Sequence, residues 1–295
     1  MHRKAHGSDC GGKRQRLVLF AAALLALLLT GCRPSEPSTP APGERFSVLT
    51  LNIWHDQEDW PARLDLIAER LRAMMPDVVC LQEVLQKPGL PNQARTLAER
   101  LGYRYYFASV DGPERAKRYG NAILSRHPFV EENWKALRPH DDYRTAAHVR
   151  IRVDGYPIDV YNTHLHYGGE GGGEAVRRTQ IRDLLAFVDS TRARGGAVLL
   201  AGDFNAPPDA PELRLLRGAF GDAYAALRPQ EKADATTLNP HFGHTPRRID
   251  YVFVERDTRL APQHAEILFR KPTRDGVWAS DHFGVLIRLA LDTPS

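Results

Sequence analysis

Six stretches of the sequence bring acids, amides or imidazoles to the edge of an apolar run. Phe46–Leu51 stops at Asn52, and Asp77–Leu81 runs into Gln82 and Glu83. Residues 157–161 lead into Asn162, Thr163, His164, Leu165 and His166, and residues 197–201 lead into Gly202, Asp203, Phe204 and Asn205. Later come Arg248-Ile249-Asp250-Tyr251 and Ser280-Asp281-His282. Carboxylates hold hard cations, imidazoles carry protons near neutrality, and amides donate hydrogen bonds to developing negative charge. Taken singly, such groups have plainer explanations. A Glu at a strand end is commonly a solvated cap. The stretch from Gly202 to Pro208 has the composition of a turn, and His164 or His166 could be a hydrogen-bonded core histidine. Asp250 is harder to dismiss, because a carboxylate inside an apolar run needs a donor or a cation beside it. Buried strands that each end in a polar group converge on one crevice beyond those ends.

Periodicity supplies the elements that would position these groups. Strands are expected at 46–51, 77–81, 103–108, 119–125, 144–153, 157–163, 197–201, 249–254 and 285–289. Leu64, Ile67, Leu71 and Met74 recur at helical spacing with Arg and Glu on the other face. A second helix is expected at 93–101, and Ile181, Leu184, Leu185 and Val188 mark a third. Mixed alternation of this kind implies a layered α/β fold. No shift of composition interrupts residues 46–291, so one domain is expected there.

The N-terminal segment reads differently. Arg3, Lys4, Lys13, Arg14 and Arg16 precede an apolar run of 13 residues, Leu17–Leu29. That run is short for a membrane span and has the length of a signal-peptide core. Leu29-Thr30-Gly31-Cys32 resembles a bacterial lipobox. Residues 1–31 are therefore expected to be a lipoprotein signal peptide, Cys32 the lipid attachment site, and the Pro-rich residues 32–45 an extended linker. Arg33 after the Cys points, by analogy with Gram-negative sorting, to an exported protein on the outer membrane. The alternative is an ordinary signal peptide with an incidental Cys32. Removing residues 1–31 takes the 40 basic and 36 acidic residues to 35 of each, a formal net charge of zero. Domains that grip a long nucleic-acid backbone usually carry a basic excess, so this balance weighs against tight DNA binding. Of the 3 cysteines, only Cys80 would be left unmodified, within an apolar run, so no intramolecular disulfide is available.

Taken in order, the segments TLN (50–52), LQEV (81–84), GNAILSRHP (120–128), NTHLH (162–166), GDFN (202–205), RIDYVFV (248–254) and SDH (280–282) resemble the endonuclease/exonuclease/phosphatase superfamily. Deoxyribonuclease I, exonuclease III, inositol-polyphosphate 5-phosphatases and bacterial sphingomyelinases belong to it. The resemblance implies a four-layer α/β sandwich, two mixed β-sheets face to face with helices outside. It also implies Mg²⁺-dependent hydrolysis of a phosphoester, with Mn²⁺ as a possible substitute. On this resemblance Glu83 is the principal metal ligand, and Asn52 and Asp281 complete or border the metal site. His282 is the catalytic His and Asp250 the carboxylate that orients it. Asp203 aligns or deprotonates the attacking water, Asn205 is an amide donor to the transition state, and His164 contacts the phosphate. Either Asp203 or His282 could be the general base.

Some positions depart from the nuclease pattern. Where abasic-site endonucleases carry an acidic residue two positions after the first Asn, this chain has Trp54, which favours a single-metal site. Arg144 is either a contact to the substrate phosphate or an exposed strand residue. The glycine-rich stretch 168–173 fits a flexible loop better than a phosphate cradle, and Tyr105-Tyr106 fits core packing better than base stacking. The clusters needed by calcineurin-like phosphoesterases and by metallo-β-lactamases are missing. An inactive surface-binding lipoprotein would be expected to have lost Glu83, Asp203, Asp250 or His282, and all four stand. The expected partners are a phosphoester substrate and, through the anchor, a membrane. No protein partner is inferred and a monomer is expected. The candidate substrates are nucleic acid, including extracellular nucleic acid cut by an endonuclease, a lipid headgroup, or a small soluble phosphoester.

Overall fold

In chain order the elements are β1 (Glu44–Asn52), α1 (Trp60–Met74), β2 (Val78–Gln86), α2 (Gln93–Leu101), β3 (Arg104–Ser109), β4 (Arg118–Ser125), β5 (Glu131–Ala136), β6 (Thr145–Val153), β7 (Tyr156–His164), α3 (Gly173–Thr191), β8 (Ala197–Asp203), β9 (Phe220–Asp222), α4 (Ala223–Leu227), β10 (Asp250–Glu255), β11 (Leu260–Leu268) and β12 (Gly284–Leu291). The computed structural model describes residues 44–168, 173–231 and 235–292. Cys32, the signal segment, residues 32–43 of the linker and the middle of the glycine-rich stretch lie outside the described residues. Glu44 and Arg45, expected in the linker, belong to β1. Among the described residues no helix is long and apolar enough to cross a membrane.

The strands form two six-stranded sheets, ordered β11-β12-β1-β2-β4-β3 and β5-β6-β7-β8-β10-β9. Each is antiparallel except at one central joint, β1 with β2 and β7 with β8. A parallel joint places two strand ends side by side, and here those ends carry the chemistry. Asn52 lies opposite Gln82, and His164 opposite Asp203.

Strand alternation sorts the apolar side chains into three layers. Phe46, Val48, Val78 and Cys80 of the first sheet meet Val149, Ile158, Val160 and Leu199 of the second in the central layer. The opposite face of the first sheet, with Leu49, Leu51 and Val79, packs on Leu64, Ile67 and Leu71 of α1 and on Leu97 of α2. The opposite face of the second, with Tyr161, Val198 and Leu200, packs on Ile181, Leu184 and Val188 of α3. This is the expected sandwich. Cys80 is fully buried, and burial pushes its thiol pKa up.

Three strands were not expected, β5, β9 and β11. All three are edge strands at the outer ends of their sheets, and β9 is only three residues long. β5 reads EENWKA, and β11 carries Pro262 and His264 at a register shift. Edge strands face water on one side and tolerate charge and Pro, so they lack an apolar alternation. Buried amides bind the two sheets to each other just below the strand ends. Gln82 Nε2 donates to Asn162 Oδ1 at 2.7 Å, and Asn162 Nδ2 donates to the carbonyls of Leu81 and Ala122 at 2.8 Å.

Candidate active site

Glu83 reaches the cleft because β2 is interrupted. Its pairing with β4 shifts register between Leu81 and Val84, and Glu83 takes φ +58°. A bulge of this kind re-aims one side chain. The loop after β1 is also bent, with Trp54 at φ +54° and His55 at φ +30°. Left-handed conformations cost a non-Gly residue about 1–2 kcal/mol and persist only where the surroundings hold them. The support is Arg63, which is 2% exposed although α1 was expected to turn its Arg residues to solvent. Its guanidinium donates to the carbonyls of Ile53, His55, Gln57 and Ala279.

Asp203 ends β8 beside a glycine that cannot be replaced cheaply. Gly202 has φ +139°, and a Cβ there would lie 1.9 Å from the carbonyl oxygen of Thr163 on the neighbouring strand. Asp203 Oδ1 accepts from the Asn205 backbone N–H at 2.9 Å, and Oδ2 accepts from Asn52 Nδ2 at 3.1 Å. His164 Nε2 lies 3.4 Å from Oδ2. Asn52 also donates through Nδ2 to Glu83 Oε1 at 3.2 Å, while its Oδ1 accepts from the Trp54 backbone N–H at 3.0 Å. The amide therefore turns its nitrogen, not its oxygen, toward the two carboxylates.

Asp250 stands directly across from Asp203 in the antiparallel pairing of β10 with β8. Two buried carboxylates so placed repel, and His282 lies between them. Its Nδ1 is 2.9 Å from Asp250 Oδ2 and its Nε2 is 3.8 Å from Asp203 Oδ2. Ser280 ties this segment to β1, donating to the Asn52 carbonyl at 2.7 Å and accepting from the His282 backbone N–H at 3.1 Å. Asp281 faces the cleft with Oδ2 3.0 Å from His244 Nε2.

Burial and mutual charge set the protonation of this row. Burial, then the neighbouring Asp250, raises Asp203 from 3.8 to about 7. Burial opposes a charge on His282, but the charge of Asp250 and its hydrogen bond outweigh that and raise it to about 10. Burial lowers His164 well below 6.5, with Arg144 and His282 adding to the effect, so it is neutral near pH 7. Donor atoms of Asp203, Asp250 and His282 all lie within 4.8 Å of one another, a spacing that could hold a metal ion.

These groups open into a cleft of about 440 Å³ whose lining includes Glu83, Arg144, His164, Asp203, Asp281 and His282. Asn52 and Asp250 lie just beneath it, and Asn205 is on its wall. Arg144 is not an exposed strand residue. Its side chain is 15% exposed and its buried Nε has no hydrogen-bond partner among the described residues. Other motif residues turn away. Asn162 is spent between the sheets, His166 bonds Asp142 at 2.9 Å, and Arg248 is buried against Asp222 at 2.7 Å. Tyr106 packs on the central core as expected, whereas Tyr105 is 38% exposed. His55 and His244, which also line the cleft, stand in no recognised motif. Arg63 was missed because helical spacing alone does not show which carbonyls will need a donor.

The chain belongs to the Endonuclease/Exonuclease/phosphatase family, whose model it matches over residues 49–282. Members of that family are hydrolases acting on phosphoester bonds and are generally divalent-metal dependent. Among curated relatives, the chain is 25% identical over 274 residues to the "Putative neutral sphingomyelinase" of Drosophila melanogaster, covering 83% of this chain and 61% of that protein. It is 29% identical over 283 residues to Nocturnin of the same organism, covering 80% of this chain and 43% of the relative. The chain thus spans 43–61% of the length of these two relatives. Among solved structures, an endonuclease/exonuclease/phosphatase from Beutenbergia cavernae aligns with TM-score 0.67 at 25% identity, over 84% of this chain and 72% of that one. D. rerio TDP2 complexed with a single-strand DNA product aligns with TM-score 0.68 at 20% identity, over 84% of this chain and 99% of that one, a likeness of fold alone.

Proposed function

We propose that this protein is a divalent-metal-dependent phosphoesterase that hydrolyses a phosphodiester or phosphomonoester by attack of water. The observation that carries the reading is the row Asp250–His282–Asp203 on the cleft floor beside Glu83. The donor set fits a hard cation. Glu83 and Asp281 are carboxylates on the cleft wall, and neither is ion-paired to a Lys or Arg among the described residues. With Asn52 turned as it is, Glu83 and Asp281 would hold the ion and Asn52 would tether Glu83 to Asp203. Bound there, Mg²⁺ or Mn²⁺ would neutralise phosphate charge.

The protein's own groups do the rest. Asp203, poised near neutrality by burial, takes a proton from water at Oδ2, and Asn52 and Asn205 hold its orientation. His282, kept charged by Asp250, donates from Nε2 to a phosphate oxygen. This assigns the base to Asp203, because an imidazolium has no lone pair to accept a proton. Arg144, whose Nε makes no hydrogen bond among the described residues and lies 3.9 Å from Asp142 Oδ2, supplies a second positive contact, and neutral His164 a further donor.

The balanced charge of residues 32–295 and the likeness to a relative named as a sphingomyelinase favour a lipid-headgroup or small phosphodiester over a long nucleic acid. The N-terminal sequence supports export and lipid anchoring through Cys32, most simply at an outer membrane. The test is a panel of sphingomyelin, single-stranded DNA and a sugar phosphate, given to the full chain in detergent with Mg²⁺. Turnover of any of the three that EDTA abolishes supports the metal-dependent phosphoesterase, and preference for sphingomyelin over DNA supports the substrate class. Turnover undiminished by EDTA contradicts it.

A further inference from the structure

The phosphoesterase reading leaves two imidazoles of the cleft, His55 and His244, without a task, and His55 is the one whose ring faces Glu83. His55 Nδ1 lies 3.0 Å from Asp56 Oδ1, and Asp56 is ion-paired to Lys87. That bond places the ring proton on Nδ1 and leaves the Nε2 lone pair free. Nε2 faces Glu83 Oε2 at 4.0 Å. The distance is too long for a hydrogen bond. It suits two donors sharing one ion, which at bond lengths of about 2.1 Å sit roughly 3 to 4.2 Å apart.

The backbone beneath the ring is also built rather than loose. The His55 carbonyl accepts from Gln93 Nε2 at 2.8 Å and from Arg63 Nη1 at 3.3 Å. Its φ of +30° turns the residue into the cleft, next to the bulge that turns Glu83 there. A carboxylate on one ring nitrogen, with the other nitrogen aimed at the site, is how metal-binding histidines are oriented.

We propose that His55 Nε2 is a nitrogen ligand to the same divalent cation as Glu83, and that it biases the site toward Mn²⁺ and other first-row transition ions over Mg²⁺. The proposal rests on the metal-dependent reading above. Carboxylate and water oxygens suit Mg²⁺, whereas an imidazole adds affinity along the order in which transition ions bind nitrogen. Trp54 stands where a nuclease would offer a second acid, and the residue after it brings the imidazole.

The test uses the full chain in detergent, stripped with EDTA and reloaded with Mn²⁺. Electron spin-echo modulation reports nitrogen-14 bound to the ion, and calorimetry reports the Kd for Mn²⁺ and for Mg²⁺. Wild type should show imidazole nitrogen modulation, and His55→Gln should abolish it. In that variant the Mn²⁺ Kd should rise roughly 10- to 100-fold and the Mg²⁺ Kd by less than about threefold. Asp56→Asn should weaken Mn²⁺ by a smaller factor, and circular dichroism should show all variants folded. Modulation that persists in His55→Gln overturns the proposal. So does Mn²⁺ that needs Glu83 yet shows no nitrogen, an outcome that leaves the metal reading standing. If Glu83→Gln leaves Mn²⁺ affinity unchanged, the metal reading itself fails and the proposal falls with it.

Discussion

The two walls of the cleft hold their charges by opposite means. On the first sheet, the Glu83 and His55 side chains are 19% and 29% exposed, and bent backbone aims both into open space. On the second, the Asp203 and Asp250 side chains are 2% and 0% exposed and extended strands set them face to face. The first wall keeps its carboxylate reachable, as the cation proposed for it would require to exchange with solvent. The second hides its carboxylates, which raises one of them toward neutrality and fixes a proton on His282. Cation binding and proton handling can therefore be disturbed separately, although Asn52 and Ser280 link the two walls.

Breaking the exposed wall should have the largest effect. Glu83→Gln keeps the shape and removes the charge, and the rate should fall roughly 10³-fold or more if the ion supplies several kcal/mol. His282 should keep its raised pKa in this variant, as NMR of the ring can check. A fall of His282 toward 6.5 would show that the walls are not separable.

Altering the buried wall should move pH dependence as well as rate. Activity should rise as Asp203 loses its proton near pH 7 and fall as His282 loses its own near pH 10. Asp250→Asn removes the support for the imidazolium and the repulsion on Asp203. Both pKa values then drop, and the rate–pH profile should move toward acid. An unmoved profile would count against the row as a unit.

Burial of Asp203 and the charge of Asp250 beside His282 together set a stability trend. Asp203 and His282 both have folded pKa values above the ordinary 3.8 and 6.5 of these side chains. Each contributes stability below its unfolded pKa and loses it as pH rises through its folded pKa. The metal-free protein should therefore lose stability between about pH 4 and 7 through Asp203, and between about pH 6.5 and 10 through His282. Asp203→Asn should raise the metal-free Tm at pH 8, by roughly 2–4 °C for each kcal/mol of strain released. A Tm lowered at that pH would mean that Asp203 is not strained by its burial.

Arg144 lies on the rim of the cleft, where the smallest effect is expected. Arg144→Ala should raise KM roughly tenfold and leave kcat within about threefold, the pattern of a contact made equally in ground and transition states. A fall in kcat alone would move Arg144 to the transition state.

The contrast between the walls also marks how far the sequence could be read. The buried wall was legible because its parts are extended strands whose apolar runs stop at Asp203 and His164, and because Asp250 in an apolar run demands a partner. The central sandwich was legible from the same alternation. Edge strands β5 and β11 were not, since Glu131, Glu132, Lys135, Pro262 and His264 obscure any apolar period. On the exposed wall, Glu83 was found through its motif, but the bulge that aims it leaves no periodic trace. His55 and Arg63 were missed because their tasks exist only once a left-handed turn and four carbonyls meet in space.

The central claim is that Asp250 and His282, 32 residues apart in sequence, work as one group. The most direct test is the steady-state rate of wild type, Asp250→Asn, His282→Ala and the double variant at saturating metal. Each single change should cost roughly 10²–10⁴-fold. The double variant should be little slower than the worse single one, because the second loss removes a group already disabled. If the two losses multiply, the residues act independently and the buried wall is not the unit described.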